Sequence, residues 1–216
     1  PKGPYEVLST TWLPYDKVQY MKVFEDVFER TYNSGKFTHF FRYLDRFYED
    51  DPFALYSAIT DRWLKEGLDR VASSDRKLCQ FLNRCLEDLA LTDGERSLAR
   101  EILAFDMMVT FQFRLQTDFL GVQEAPRAVT DPLFRNDSFM ASLIEGFSFT
   151  SWRDVKLHCR IWEISPSMVD FLVGLKRGER PAYLVAARLP KGVTWQVVTM
   201  DEYDHLIHEK EKHGTV

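Results

Sequence analysis

Cysteine is scarce in this chain: 216 residues hold three, Cys79, Cys85 and Cys159. An odd count at irregular spacing excludes a disulfide framework, and a reducing cytoplasm is the expected setting. No group of clustered thiolates is present to hold an iron–sulfur cluster, so the cysteines read as small buried hydrophobes. Long apolar runs are missing too. No stretch approaches the ~18 residues that a membrane-spanning helix needs, and no secretory leader opens the chain. Basic charge is not in excess: 28 Lys and Arg stand against 33 Asp and Glu, for a net charge of −5. The two signs interleave, as in Asp61-Arg62 and Glu95-Arg96. A basic stripe is the footprint of nucleic-acid binding, and its lack argues against that partner. Catalytic signatures are likewise absent. There is no phosphate-binding Walker loop, no G-x-G-x-x-G and no G-x-S-x-G.

What the chain does have is rings. Seventeen Phe, nine Tyr and five Trp make aromatics 14% of the sequence, within 45% hydrophobic residues. This is globular composition with enough length for a substantial core. Rings dominate core burial in any fold, and a surplus can also form a docking surface.

Helical periodicity governs the first two thirds. Pro14 opens a helix carrying Val18, Met21, Val27 and Phe28, and Asn33-Ser34-Gly35 stops it. Phe37, Phe40, Phe41, Leu44, Phe47 and Tyr48 form one apolar face of a second helix, predicted over 36–48. Asp51-Pro52 is an N-cap with proline at the first helical position, starting a third helix that fades at Gly67. Ser74-Asp75 caps a fourth. Thr92-Asp93-Gly94-Glu95 has the form of a capping box and starts the longest helix, predicted over 95–119. Pro126, Asp131-Pro132 and Asn136-Asp137 mark a loop region, followed by a short helix over 139–149.

The spacing then shifts towards a period of two. Strands are expected over 158–164, 183–189 and 195–200, with Leu157, Cys159 and Ile161 on a common side. Residues 167–174 are either a helix or an irregular crossing, and the charged tail from Asp201 is a helix that frays. The expected fold is α+β, a bundle of about five or six helices followed by a small antiparallel three-stranded sheet. One domain over 1–216 is expected, helical over about 13–150 and β over about 155–200, because a three-stranded sheet needs cover for its apolar face.

Four features carry possible chemistry. Asp106 lies in the apolar run Leu103-Ala104-Phe105-Asp106-Met107-Met108, where a carboxylate points to solvent, is paired, or lines a cleft. His158 stands at the start of a predicted strand, as an edge or core residue or a contact to a ligand. The tail places His205, His208 and Glu209 on one face, but its spacing is one residue too long for H-E-x-x-H, and a solvated tail is expected. The turn Tyr32-Asn33-Ser34-Gly35-Lys36-Phe37 reverses the chain through Gly35, with Asn33 and Ser34 able to satisfy helix-end carbonyls. Tyr32 and Phe37 staple the two helices, and a polar turn flanked by rings is also a possible contact for an interface or ligand. No catalytic, cofactor-binding or metal-binding residue is identified.

Two blocks carry a family likeness. Pro4-Tyr5-Glu6-Val7-Leu8-Ser9 leads into Trp12-Leu13-Pro14-Tyr15 and, after the helix, Tyr32-Asn33-Ser34-Gly35-Lys36-Phe37. This arrangement resembles the start of the C-terminal domain of unknown function in cobalamin-binding radical S-adenosylmethionine proteins. The helix with Leu103-Ala104-Phe105-Asp106 and the later His158-Cys159-Arg160-Ile161-Trp162-Glu163 resemble that domain's later blocks in order and spacing. The resemblance implies a parent protein with a cobalamin-binding domain and a radical barrel, using a 4Fe-4S cluster, S-adenosylmethionine and cobalamin. It also implies methyl transfer or another radical reaction there. This chain has neither C-x-x-x-C-x-x-C nor D-x-H-x-x-G, so the cofactors and the catalysis belong to the parent. The start at Pro1-Lys2-Gly3-Pro4, without methionine, fits a piece of a longer protein.

Three readings follow. The first is a non-catalytic accessory domain that packs on the radical barrel of the same polypeptide and shapes substrate access; it predicts an apolar surface patch near residues 1–40. The second is an independent helical module for a peptide or small ligand; it predicts a closed pocket lined by Asp106 and no exposed patch. The third is a hydrolase or lyase built from Asp106, His158 and an arginine in one cleft.

Overall fold

A computed structural model describes residues 12–68, 74–143, 151–174 and 180–213. The Pro4–Ser9 block lies outside these residues. Ten α-helices and three strands are described: α1 (Tyr15–Thr31), α2 (Thr38–Leu44), α3 (Pro52–Lys65), α4 (Asp75–Cys85), α5 (Asp93–Phe111), α6 (Arg127–Phe134), α7 (Asp137–Leu143), α8 (Trp152–His158), β1 (Cys159–Ile164), α9 (Pro166–Val173), β2 (Ala182–Leu189), β3 (Gly192–Thr199) and α10 (Met200–His213). The fold is α+β, with the small antiparallel sheet in the C-terminal part. Its contacts divide it into two compact units, Pro1–Ala99 and Arg100–Val216.

The first unit is helical, and its ends are set by side chains. The Asp51 carboxylate accepts the Ala54 N–H at 3.1 Å, and the Ser74 hydroxyl accepts that of Lys77 at 3.4 Å. Each takes up one donor that the first helical turn leaves unused. Gly35 has φ +67°, which glycine adopts without the steric cost of a Cβ. The predicted second helix is shorter than its apolar face: α2 ends at Leu44, and Asp45–Phe47 tighten into a 3₁₀ turn. Phe37, Phe40, Phe41, Leu44, Leu55, Ile59, Trp63, Phe81, Leu82 and Leu86 are almost wholly buried. Trp63 meets Phe81 edge to face at 4.9 Å.

The second unit is built on the sheet. The strands follow chain order, β1-β2-β3, with Ile161 opposite Val185 and Val185 opposite Gln196. Cys159, Ile161, Tyr183, Val185, Ala187 and Val198 point to one face, packed by Leu133 and Phe134 of α6, Phe139, Met140 and Leu143 of α7, and Val155 of α8. Tyr203 and Leu206 of α10 close the same layer. Trp162 and Trp195 point to the other face, where Phe105 of α5 meets Trp195 edge to face at 5.2 Å. β2 is therefore buried on both faces along Ala182–Ala187, which explains its nearly unbroken apolar run.

Three expectations are corrected. Leu157 is helical and 67% exposed, because α8 runs to His158 and only then gives way to β1. The predicted loop at 126–137 contains α6 and the start of α7. Pro132 sits inside α6 and has no N–H to give the Ala128 carbonyl; the Tyr203 hydroxyl stands 3.5 Å from that oxygen instead. The longest helix stops at Phe111, not 119. Gln112 and Phe113 take left-handed φ values of +51° and +64°, which cost roughly 1–3 kcal/mol each for a residue with a Cβ. Phe113 is held there by Trp162, ring centroids 5.7 Å apart, and by the Arg160 guanidinium, 6.0 Å from its ring centre. Among the described residues, eight helices precede the sheet. Residues 167–174 resolve to α9, closed by Gly174 at φ +71°. The predicted helix over 139–149 is described only to Leu143, and 144–150 lie outside the described residues.

Candidate functional site

The turn between α1 and α2 divides its residues between two jobs. Its polar atoms hold the turn. The Asn33 amide donates to Glu29 Oε1 at 2.6 Å, and the Ser34 hydroxyl donates to the Thr31 carbonyl at 2.9 Å. The Lys36 ammonium meets Asp75 Oδ1 at 2.6 Å at the start of α4. Its rings line a cleft. Tyr32, Phe37 and Phe41 form the apolar wall, and Thr38, Arg42, Asp45, Arg46 and Glu49 complete a cavity of about 510 Å³.

That wall belongs to a continuous aromatic stack. Tyr32 lies against Phe28 with centroids 5.0 Å apart, and meets Phe41 and Tyr56 edge-on at 5.8 and 5.6 Å. Tyr56, on α3, donates its hydroxyl to Asp45 Oδ1 at 3.2 Å. Burial raises the Asp45 carboxyl above its ordinary value, and the Tyr56 hydrogen bond draws it partly back. The phenol moves the same way: burial, then the Asp45 charge, hold Tyr56 protonated. This places a half-buried carboxylate against rings at the end of a short helix.

A second surface feature lies along α1. Trp12 is 92% exposed, Phe53 62%, Tyr15 58% and Met21 57%. Leu13, Val18, Tyr20, Met21, Phe24 and Phe53 line a groove of about 570 Å³. Scattered apolar exposure is ordinary, but a contiguous groove of this kind is a typical interaction surface.

The other sequence candidates do not converge. Asp106 is buried in α5, and none of the described cavities is lined by it. His158 ends α8 and stands 3.6 Å from Asp154 one turn earlier. The two are carried by helices over opposite faces of the sheet, which leaves the hydrolase reading without a common cleft. His205 borders a cavity of about 340 Å³ with Ser138, Ser142 and Glu202. Among the described residues, no group of three His, Cys, Asp or Glu side chains gathers to hold a metal. All three cysteines are buried and none is in a disulfide; burial pushes the Cys159 thiol up to about 12, far from a reactive thiolate. No described helix is long and apolar enough to cross a membrane.

Sequence reasoning missed Asp45 because its meaning depends on Tyr56, which arrives from another helix. The only signal was its place between Arg42 and Arg46, which reads as a solvated face. It also missed Glu101, whose carboxylate accepts the Ser165 N–H at 3.0 Å. Burial raises its pKa while that hydrogen bond opposes the shift.

With this geometry in hand, comparison with known proteins gives one result. The family model described as protein of unknown function, DUF4080, matches residues 1–165, and the chain belongs to that family. Neither a curated protein nor a solved structure matches it.

Proposed function

We propose that the chain is a non-catalytic accessory domain of a cobalamin-binding radical S-adenosylmethionine enzyme. It packs on the radical barrel of the same polypeptide through the apolar face of α1 and helps to shape the route by which substrate enters. One observation supports this most: the exposed run of Trp12, Tyr15, Met21 and Phe53, which the first reading requires within and beside residues 1–40. Membership of a family without assigned function, and the resemblance of the Y-N-S-G-K-F turn to a domain that follows a radical barrel, agree with it. The parent would supply the 4Fe-4S cluster, S-adenosylmethionine and cobalamin. An independent ligand-binding module was expected to show a closed pocket around Asp106 and no exposed patch, and the described surface favours the accessory reading over it.

The first test is the reading frame upstream of Pro1. It is expected to encode a C-x-x-x-C-x-x-C motif, with D-x-H-x-x-G before it. A start codon directly before Pro1 would sink the accessory reading and promote the independent module. In the full-length protein, the α1 amides are expected to exchange with deuterium more slowly than in the 216-residue chain alone. Equal exchange would show that no parent domain covers this face.

A further inference from the structure

We propose that the chain forms a two-fold dimer in which the free edge of β3 pairs antiparallel with β3 of a second copy, joining the two sheets. This edge lies in the second unit, and its pairing does not depend on the docking face of α1.

Both faces of the sheet are covered, but its two edges differ. At the outer edge of β1, the Ala125 N–H donates to the Ile161 carbonyl at 2.8 Å, and Glu124 bridges Trp162. β1 also carries Arg160 and Glu163, charges of the kind that blunt an edge. β3 carries neither a charged residue nor a proline, and its register with β2 runs from Gly192 to Thr199 without a bulge. An edge strand built this way is a template for another strand.

The hydrogen bond at Ile161 also fixes which groups of β3 face outward. In an antiparallel sheet, successive residues bond alternately to the neighbour on one side and on the other. Ile161 bonds away from β2, so Trp162 bonds towards it, and the register carries that phase through Leu184 to Val185 and Gln196. Val193, Trp195 and Val197 then turn their backbone N–H and C=O away from β2. Thr199, next in the row, also turns its N–H outward, where the Glu202 carboxylate accepts it at 2.8 Å. Among the described residues, no backbone partner meets the outward groups of Val193, Trp195 and Val197. Val193 and Trp195 are half-buried. Val197 is 8% exposed, and a strand residue can bury its side chain against one face while its backbone lies at the edge.

A strand is what such an edge binds, and the sequence of β3 points to a second β3. Val193-Thr194-Trp195-Gln196-Val197 is nearly symmetric about Trp195, with valine at each end and a polar residue beside the ring on each side. Antiparallel pairing centred on Trp195 sets Val193 opposite Val197 and Thr194 opposite Gln196. Like then meets like on each face, and every outward group of Val193, Trp195 and Val197 is paired. Both copies use the same patch, as a two-fold axis requires. Because the β1 edge is bridged and charged, pairing stops at two copies.

Sedimentation equilibrium of the 216-residue chain tests this. A dimer is expected at about 0.1 mM, dissociating on dilution. Val193→Pro removes an outward donor and leaves the bonds to β2 in place, so a monomer with an unchanged circular dichroism spectrum is expected. Charge reads the register without altering the backbone. The double variant Thr194→Lys, Gln196→Lys sets like charges opposite each other and is expected to weaken the dimer by about tenfold or more, whereas Thr194→Lys, Gln196→Glu is expected to restore it. A monomer at about 0.1 mM, a dimer untouched by the paired lysines, or one weakened equally by both double variants would each overturn the proposal. None of these results bears on whether a parent domain covers α1, so the two readings fail separately.

Discussion

The two compact units solve the problem of apolar surface in different ways. In Pro1–Ala99, helices satisfy their own backbone, so each needs to bury only one face. Phe28, Phe41 and Tyr56 pack inward, while Trp12, Tyr15, Met21 and Phe53 remain on the outside of α1 and α3. In Arg100–Val216 a three-stranded sheet has two faces, and both are covered: one by α6, α7, α8 and α10, the other by Phe105 and Phe113 of the α5 region. A helix can leave an apolar stripe open without leaving a hydrogen bond unmade. A small sheet depends on cover for its stability. The helical unit is therefore the one with an apolar face to offer a partner.

One glutamate from each unit shows two ways of holding a carboxylate. Glu66 is clamped between Arg84 Nη2 at 2.6 Å and Arg62 Nε at 2.9 Å, and Arg62 also holds Asp88 at 2.6 Å. Hydrogen bonds from Arg84, then from Arg62, hold its carboxyl below the ordinary value against the opposing effect of burial. Glu101 is buried and meets a backbone N–H instead, and its pKa is raised. Glu66 is thus answered by charge and Glu101 by a peptide dipole.

The largest effect should come from the doubly covered sheet. Ile161→Ala removes a side chain that is 1% exposed and is expected to cost about 2–5 kcal/mol, read by urea denaturation. A cost below about 1 kcal/mol would show that the covering layer relaxes into the space.

Glu66→Gln leaves two arginines short of a carboxylate, and a loss of about 1–3 kcal/mol at neutral pH is expected. Because the folded pKa of Glu66 is depressed, its contribution is present above the unfolded value and is lost as pH falls through the folded one. Glu101 works in the opposite direction. Its folded pKa is raised, so its relative contribution is present at low pH and is lost as pH rises through that value. Above the ordinary glutamate value of about 4.3, Glu101→Gln should gain on wild type as pH rises. A stability difference that does not change with pH would contradict this assignment.

The two capping boxes sharpen the comparison, since the chemistry is the same in both units. Glu95 accepts the Thr92 N–H at 2.7 Å, and Glu202 accepts the Thr199 N–H at 2.8 Å. Thr92→Ala and Thr199→Ala should each cost about 1 kcal/mol in thermal denaturation. The smallest effect on stability is expected at the open stripe. Trp12→Ser together with Met21→Ser should change stability by no more than about 0.5 kcal/mol each, yet should abolish protection of α1 by a parent domain. A large loss of stability would mean that these side chains support the unit itself.

What could be read from the sequence follows how local the cause is. Asp51, Ser74 and Thr92 cap helices within one turn, and each stands where it was expected. Thr199-Met200-Asp201-Glu202 carries the same signal but went unread, because the strand before it set the expectation of β structure. The end of α5 could not be read: Gln112 and Phe113 leave the helix for Trp162 and Arg160, far along the chain. Pro132 looked like a loop residue because its remedy, the Tyr203 hydroxyl, lies on the last helix. At the cleft, Tyr32 and Phe37 were legible as rings flanking a turn. Asn33 and Ser34 looked equally available until the structure showed them bonded to Glu29 and Thr31.

The chain-order meander β1-β2-β3 has a kinetic consequence. Each strand pairs with the one that comes next, and β2 joins β3 through the tight turn at Pro190-Lys191. Such pairings close small loops, so their entropic barrier is low. The contact of Phe105 with Trp195 closes a much longer loop and must come later. During synthesis, α5 leaves the ribosome well before any strand exists to receive Phe105. Until β3 emerges, that ring is an exposed hydrophobe on a nascent chain, and this is the interval in which a chaperone would find the protein most open to capture.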